Sequence, residues 1–493
     1  MNSMTKWLAA AALLVGATAC NKDLTSINNN PNGPVSVPAP SLLSQVIQRA
    51  VGQFHADNFS GGDIRNGGLW VQFYSEVQYR DEDKYIIRSG VDGGFGLYNG
   101  ALEDCQRMIV QGTVTKNPNW DAVGRIMKSY MFSEMTDAMG DLPYSEALKA
   151  DTNFTPVYDT QKSIYDSLFA DLATANSEIN PALIGFASGD IMYGGDMTLW
   201  QKFANSLRLR LALHLTNVDA TTGKAQAAAA VAAGVFADNS DNAMLMYLAS
   251  SPNQSPTYIM VHVNNRDDFG MSKTLIDSLL SWNDPRLPYY AQLDKPLPTD
   301  TLANGSPIPP HYEGLPNGLN DGAGKPINLI SRIGAMWRDT PNAPLPMMTY
   351  SEVLFLEAEA AQRGWIAGNA ATLYNAAITA SMQQYGISDA AIATYLAQPR
   401  VVYSAATGLT QIAYQKWLSL FMNGQEAWTE VRRTGVPHLL PGPNATLTSI
   451  PERMPYADAE DVLNQTNVEA AVARQKLASY TSLSGPLWFT GRQ

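Results

Sequence analysis

The stretch from Gln415 to Pro437 decides the fold, and it reads QKWLSLFMNGQEAWTEVRRTGVP. Within it and just before it, apolar and small residues recur at the spacing of one face of an α-helix. They are Ala413, Trp417, Leu420, Phe421, Gly424, Trp428 and Val431. The pattern predicts a core helix from Gln411 to Arg433 that ends before Gly435 and Pro437.

Gly424 lies in the middle of this predicted helix, where glycine costs about 1 kcal/mol of helix propensity. Two explanations stay open: the glycine lets another helix approach closely, or Asn423-Gly424 breaks the helix. Glu426, Glu430 and Arg433 lie roughly on the opposite face. Their spacing predicts that they pair with one another.

Composition favours a folded, acidic protein. Of the 493 residues, 45% are apolar, which is enough for a sizeable core. A net charge of −12 argues against nucleic acid as a partner and against a polybasic membrane-binding patch. Two cysteines are too few for a disulfide framework, and Cys105 is predicted to be a buried free thiol.

The N-terminus predicts export. Residues 1–19 read MNSMTKWLAAAALLVGATA, a positively charged start followed by an apolar run too short to span a bilayer. This signal peptide leads into Cys20, and the junction resembles the lipidation site of bacterial lipoproteins. Ordinary secretion with cleavage after Ala19 is the alternative. Residues 20–40, rich in asparagine and proline, are predicted to form a tether.

Helical periodicity covers most of the remaining chain and predicts an all-α fold. The predicted helices are Ser41–Asp57, Gly94–Gln111, Trp120–Met139, Asp159–Ile179, Met197–Leu215, Ala225–Gly234, Met271–Trp282, Met348–Trp365 and Ala370–Ile378, besides the helix described above. Residues 236–345 break the pattern, because glycine, proline, asparagine and aspartate are frequent there. Long irregular segments on a helical body are usually functional, so this one is predicted to bind a ligand.

Several motifs together resemble the SusD/RagB family of bacterial nutrient-binding lipoproteins. Besides the opening stretch they are NNNPNGP (28–34), GDLPYSEAL (140–148), KFANSLRLRLA (202–212), WNDPRLPYY (282–290), MTYSEVLFLEAEAAQRGW (348–365) and PERMPYADAEDVLNQTNV (451–468). The last motif is expected to be irregular. Residues 370–378 also fit the second helix of a tetratricopeptide-type repeat.

The resemblance implies an architecture and a function. Residues 41–493 would form one α-helical domain built on tetratricopeptide-like helix pairs, in which residues 236–345 form a loop-rich insertion for the ligand. The chain would lie at the cell surface, anchored in the outer membrane through lipid on Cys20. There it would bind a glycan or a peptide and deliver it to a SusC-like TonB-dependent transporter.

No catalytic, metal or cofactor motif stands out, so the sequence predicts a protein that is not an enzyme. None of the five histidines lies three or four positions from another, and no GxSxG or phosphate-binding glycine loop is present. NGLNDGAG at 317–324 resembles a calcium loop without its closing glutamate. Two alternatives remain: an extracellular glycan hydrolase, which needs only two suitably spaced carboxylates, and a tetratricopeptide-type assembly scaffold.

Polar and aromatic side chains in the predicted irregular segments are the candidate ligand residues, since glycan faces stack on aromatic rings. They are Trp70, Tyr74, Asn264, Arg266, Asp267 and Trp337. Replacing Trp70 or Trp337 by alanine is predicted to weaken ligand binding without unfolding the protein.

Overall fold

Helices make up most of the protein. The computed structural model describes residues 37–55, 65–88, 91, 93–149, 152–186 and 189–492. The predicted signal peptide, Cys20 and most of the predicted tether lie outside these residues. Within them, every helix is too short or too polar to cross a bilayer.

The helices of six or more residues carry the labels used below. They are α1 (Ala39–Phe54), α2 (Glu103–Thr115), α3 (Pro118–Met139), α4 (Gln161–Glu178), α5 (Met197–His214), α6 (Ala220–Ala233), α7 (Lys273–Ser281), α8 (Tyr350–Gln362), α9 (Ala370–Gln383), α10 (Asp389–Leu396), α11 (Gly408–Ser419), α12 (Gly424–Thr434), α13 (Asp458–Leu463) and α14 (Gln465–Arg474). The all-α prediction is confirmed.

Helices that follow one another along the chain pack side by side, as the helix-pair prediction requires. The pairs are α2 with α3, α3 with α4, α5 with α6, and α8 with α9. In the last pair, Tyr374 and Ala377 of α9 are fully buried, as expected of the repeat-like pattern. Residues Ala39–Gln493 form one compact unit.

The predicted helix from Gln411 to Arg433 is wrong in one respect, because it is two helices. α11 ends at Ser419 and α12 begins at Gly424, with Met422 in the left-handed region (φ 70°) between them. The Asn423 side chain caps α12. Close approach occurs here as well, since a Cβ on Gly67 would lie 2.6 Å from the Gly424 carbonyl carbon. The break at Asn423-Gly424 is therefore confirmed, and the glycine that this close approach requires is Gly67.

The charged face of α12 is buried rather than solvated. Arg433 pairs with Glu430, as predicted, and also with Glu359 of α8, both at 2.7 Å. Glu426 does not pair with either of its predicted partners. It lies 3.2 Å from Nζ of Lys416 on α11 instead, because neighbouring helices cover this face of α12 as well as the apolar one.

His214 of α5 belongs to the same buried ionic network. Its ring lies 3.0 Å from Asp137 and 3.4 Å from Glu426. Burial lowers the pKa of His214, but Glu426 and Asp137 outweigh it and raise the value to about 9. His214, Glu426 and Glu430 are close enough together to hold a metal ion. Nζ of Lys416 lies 3.2 Å from Glu426 and 3.3 Å from Glu430, so a protein cation pairs with both carboxylates and the group is a buried ion cluster.

The described residues form three short antiparallel strand pairs. Strand β1 (Tyr74–Glu76) pairs with β5 (Phe269–Met271), β2 (Leu142–Pro143) with β3 (Tyr158–Asp159), and β4 (Ala243–Met246) with β6 (Pro344–Met348). The third pair joins the two ends of the irregular segment 236–345 to each other, and the first pair joins its residues 269–271 to residues 74–76.

The GDLPYSEAL segment is a polar turn that joins helices. Gly140 has φ 85° at the end of α3, and Asp141 accepts hydrogen bonds from Gln161 N (2.9 Å) at the start of α4 and from Arg474 (2.6 Å) of α14. The prediction that PERMPYADAEDVLNQTNV is irregular is wrong for its second half. There α13 and α14 form, helped by acidic residues in the first turn of α13.

Two further expectations concern Cys105 and the calcium-like loop. Cys105 is a buried free thiol, as predicted. In the loop at 317–324, the guanidinium of Arg80 donates to the carbonyl oxygens of Asn320 (2.9 Å) and Ala323 (2.7 Å). A protein cation thus uses oxygens that a calcium loop would offer to its ion.

Candidate functional site

Three of the six predicted ligand residues lie in the core. Trp70 and Tyr74 are 0% exposed and Trp337 is 1% exposed. The Trp70 ring packs edge-on against Trp428 at 4.7 Å, and the Tyr74 hydroxyl donates to the sulfur of Met422 at 3.1 Å. A fully buried ring offers no face to a ligand, so these three are packing residues in this structure.

The expectation for alanine variants of Trp70 and Trp337 changes accordingly. Removing a buried aromatic ring leaves a cavity, so each variant is expected mainly to lower the free energy of unfolding. Aromatic periodicity in the sequence could not distinguish a ring in an exposed loop from a ring packed under it.

The other three predicted residues lie together on one surface turn. After the π-helical turn Ile259–Val263, Asn265 takes a left-handed conformation (φ 53°) and the chain reverses into β5. Asn264 is exposed, while Arg266 and Asp267 are half-buried. The turn therefore presents an amide, a guanidinium and a carboxylate within four residues.

Tyr79 lies beside this turn. Its side chain is 55% exposed, and the guanidinium carbon of Arg266 lies 5.1 Å from the centre of its ring. The Tyr79 backbone is left-handed (φ 57°), which costs a bulky residue about 1–3 kcal/mol. Strained residues of this kind cluster at binding sites, where the surrounding structure holds them in place.

Hydrogen bonds join the two segments that carry Tyr79 and Arg266. Val77 N donates to Asp268 O at 2.8 Å, and the buried Asp268 carboxylate accepts from Gln78 and from Arg266 Nε, the latter at 2.7 Å. These contacts fix the Arg266 guanidinium over the Tyr79 ring.

An ionic network continues the surface on the other side of the turn. Asp267 lies 2.8 Å from Arg338, which also contacts Asp339. Asp339 in turn lies 2.8 Å from Nε2 of His262. Burial raises the pKa of Asp339, but His262 and Arg338 outweigh it and lower the pKa below the usual value. This holds Asp339 as an anion.

The contacts define a continuous surface, here called the Tyr79 surface. His262 packs on Tyr258 with ring centres 4.8 Å apart, which adds a second, half-buried aromatic. The residues of the surface are Tyr79, Tyr258, His262, Asn264, Arg266, Asp267, Arg338 and Asp339. Exposed ring faces beside fixed donors and acceptors suit a sugar, which needs both stacking and hydrogen bonds.

Sequence reasoning missed five residues of the Tyr79 surface: Tyr79, Tyr258, His262, Arg338 and Asp339. Tyr79 and Tyr258 lie in irregular segments of the sequence, and nothing in the sequence distinguishes them from aromatic neighbours that are buried. The left-handed residue Tyr79 follows β1 by three positions, and β1 pairs with β5, which lies far away in sequence.

A cluster of buried acids lies next to the Tyr79 segment. Glu76 at the end of β1 is 1% exposed, and its Oε2 accepts a hydrogen bond from Asp83 N at 3.1 Å. Burial and the neighbouring Glu82 raise the pKa of Glu76 to about 10. Glu76 is therefore neutral in the folded protein at pH 7.

We expect Glu76→Gln to stabilise the protein above neutral pH. Below pH 4.5 Glu76 is protonated in both states, but as pH rises toward 10 only the unfolded chain releases the proton, so folding stability falls. Because glutamine cannot ionise, the variant should gain about 1–3 kcal/mol in the free energy of unfolding at pH 8. Chemical denaturation at pH 4 and pH 8 measures it.

The exposed Glu469 of α14 provides the control. Glu469→Gln should change the free energy of unfolding at neither pH. A Glu76→Gln variant that is destabilised at pH 8, or that gains equally at pH 4 and pH 8, would show that Glu76 is ionised in the folded state.

Comparisons with known proteins decide the family. A family model described as starch-binding and associating with the outer membrane matches residues 31–457. The chain belongs to this SusD-like family. The resemblance seen in the sequence motifs is confirmed, and members of the SusD-like family are carbohydrate-binding proteins of the outer membrane.

Solved structures agree with the SusD-like assignment. A chitin-binding protein is 30% identical, with 92% of this chain and 100% of that chain covered and a TM-score of 0.76. A SusD homologue from Bacteroides fragilis is 27% identical, with coverage of 93% and 100% and a TM-score of 0.76. A chitin-binding SusD homologue from Flavobacterium johnsoniae is 24% identical, with coverage of 92% and 97% and a TM-score of 0.75, and shows the shared fold. No curated protein matches the chain significantly.

Proposed function

We propose that this SusD-like protein binds an oligosaccharide at the Tyr79 surface and releases it unchanged. The observation that carries the proposal is the exposed, strained Tyr79 ring held under Arg266. Asn264, Arg266 and Asp267 supply polar contacts around it. A chitin-type oligosaccharide is the first ligand to test, because the relative that is 30% identical binds chitin.

The proposal extends to anchoring and delivery. Lipid on Cys20 would hold the protein at the outer membrane, and a SusC-like TonB-dependent transporter would receive the ligand. The SusD-like family and the lipoprotein-like N-terminus support this arrangement. Loss of lipid labelling in a Cys20→Ala variant would test the anchor, and co-purification from the native membrane would test the transporter.

Titration calorimetry distinguishes among the ligand classes. We expect saturable binding of chitin-type oligosaccharides, with starch-type oligosaccharides and peptides of matched length as the comparison. Strongest binding of a peptide would contradict the glycan assignment. Binding of none of them, while a transporter still co-purifies, would favour the assembly-scaffold alternative.

A product assay on the same mixtures addresses the hydrolase alternative. After long incubation we expect the oligosaccharides to keep their length, as befits a binding protein. Appearance of shorter products that depends on protein concentration would identify an enzyme and contradict the proposal.

A further inference from the structure

Four large aliphatic side chains lie exposed at one corner of the protein, here called the apolar corner. They are Val110 and Val114 of α2 and Leu183 and Ile184 of the loop after α4. Val114 is 75% exposed and Ile184 is 83% exposed. Burying such side chains away from water is favourable, so an exposed group of them marks a surface that contacts something else.

Hydrogen bonds hold the two halves of the corner together. Val110 and Val114 are neighbours on the helix surface, one turn apart. Just after α2, Asn117 Nδ2 donates to Ile184 O at 3.5 Å and Asn119 Nδ2 donates to Leu183 O at 2.9 Å. The loop is therefore fixed against the end of the helix.

The body of the chain begins at this same corner. Ala39 N, at the start of α1, donates to the side chain of Gln111 at 2.9 Å, and Gln111 directly follows Val110. On the loop side, a Cβ on Gly189 would lie 1.5 Å from Pro40 O, so the chain passes directly against that residue. Both elements of the apolar corner thus contact the start of α1.

We propose that the apolar corner contacts the lipid surface of the outer membrane. The inference rests on the proposed anchor at Cys20. Ala39 is the nineteenth residue after Cys20, so the two residues lie at most about 65 Å apart when the chain is fully extended. Because the tether is short, the body experiences a high effective concentration of lipid, which favours even a weak apolar contact. The part of the body nearest the tether reaches the membrane first.

Trp120 of α3 suits the same environment. It is half-buried, and its indole Nε1 donates at 2.6 Å to the carbonyl oxygen of Gly185, the residue that follows Ile184. Tryptophan is enriched where proteins meet the boundary between membrane and water. The corner therefore combines aliphatic side chains with an interfacial aromatic ring.

A fluorescent label at the corner tests the contact. We would introduce Val114→Cys or Ile184→Cys into the mature chain, replace Cys20 by a hexahistidine anchor, and attach an environment-sensitive dye. The native Cys105 is fully buried and its thiol pKa is raised by burial, so the dye reacts at the new cysteine. On phosphatidylcholine vesicles with nickel-chelating lipid, we expect a blue shift of the emission relative to lipid-free nickel beads.

Phe154→Cys is the matched control, since Phe154 is 77% exposed; its label should keep the same emission on vesicles and on beads. No shift at positions 114 and 184, or an equal shift at all three positions, would overturn the inference. Because the histidine anchor replaces the lipid, this outcome does not depend on acylation of Cys20. Failure of the lipid-labelling experiment would refute the anchor separately.

Discussion

Asp284→Asn is expected to lower the free energy of unfolding by about 3–5 kcal/mol, the usual cost of breaking a buried ion pair. Asp284 lies in the WNDPRLPYY motif (282–290), and its carboxylate receives two hydrogen bonds from the Arg286 side chain, at 3.0 and 2.7 Å. Both side chains are 0% exposed. An arginine cannot lose its proton to escape the cost, so the variant keeps a buried charge without its counter-ion.

The position of Arg286 explains why the effect should spread beyond the loop. Its guanidinium also donates to Ser381 of α9 at 3.0 Å and to Gln415 of α11 at 3.1 Å. Nearby, the Tyr290 hydroxyl donates to Leu418 O of α11 at 3.0 Å. The WNDPRLPYY motif thus attaches the irregular segment 236–345 to α11, the helix in which the stretch Gln415 to Pro437 begins.

An exposed pair in the same region gives the control. Lys273 and Asp277 of α7 are also 2.7 Å apart, but their side chains are 50% and 55% exposed. Asp277→Asn should change stability by less than about 0.5 kcal/mol, because water screens such a pair. Equal effects of the two variants in chemical denaturation would show that burial does not set the strength of the Asp284–Arg286 pair.

Tyr79→Ala is expected to weaken oligosaccharide binding by about 30-fold, which corresponds to about 2 kcal/mol and is typical of an aromatic residue at the centre of a binding surface. Among the described residues, Tyr79 alone combines a left-handed backbone, a side chain that is more than half exposed and a ring that an arginine contacts. The variant removes this ring. The fold should be unaffected, because alanine relieves side-chain crowding at an exposed site. Titration calorimetry with a chitin-type oligosaccharide measures the loss.

Two further variants separate stacking from other effects. Tyr79→Phe keeps the ring and should retain most of the affinity, whereas loss in this variant would assign the role to the hydroxyl. Phe154→Ala removes a ring that is even more exposed and lies elsewhere, and this variant should bind normally. If Tyr79→Ala also bound normally, the ligand would lie outside the Tyr79 surface.

The architecture followed from sequence wherever one face of a helix is apolar. α3 and α5 begin and end within about two residues of their predicted bounds, because Trp120 to Met139 and Met197 to Leu215 carry a regular stripe. α12 shows the limit of this reasoning. Glu426 and Glu430 lie opposite the apolar stripe in the sequence pattern, yet helices distant in sequence bury them as well.

The candidate site was predictable only in part, for a related reason. Asn264, Arg266 and Asp267 lie in a polar turn, and polarity is visible in the sequence. Trp70 and Trp337 are predicted as ligand aromatics because they lie in irregular segments, but whether a ring in such a segment points inward depends on tertiary packing. Tyr79 is a candidate because of its left-handed backbone and its contact with Arg266, and a residue so distant in sequence cannot be paired with it from local pattern.

A structure of the protein with a chitin-type oligosaccharide bound would test the central claim most directly. We predict an intact oligosaccharide with one sugar ring lying on the Tyr79 face and hydrogen bonds to Arg266 and Asp267. A sugar bound at another surface, or a chain shortened by cleavage, would contradict the account.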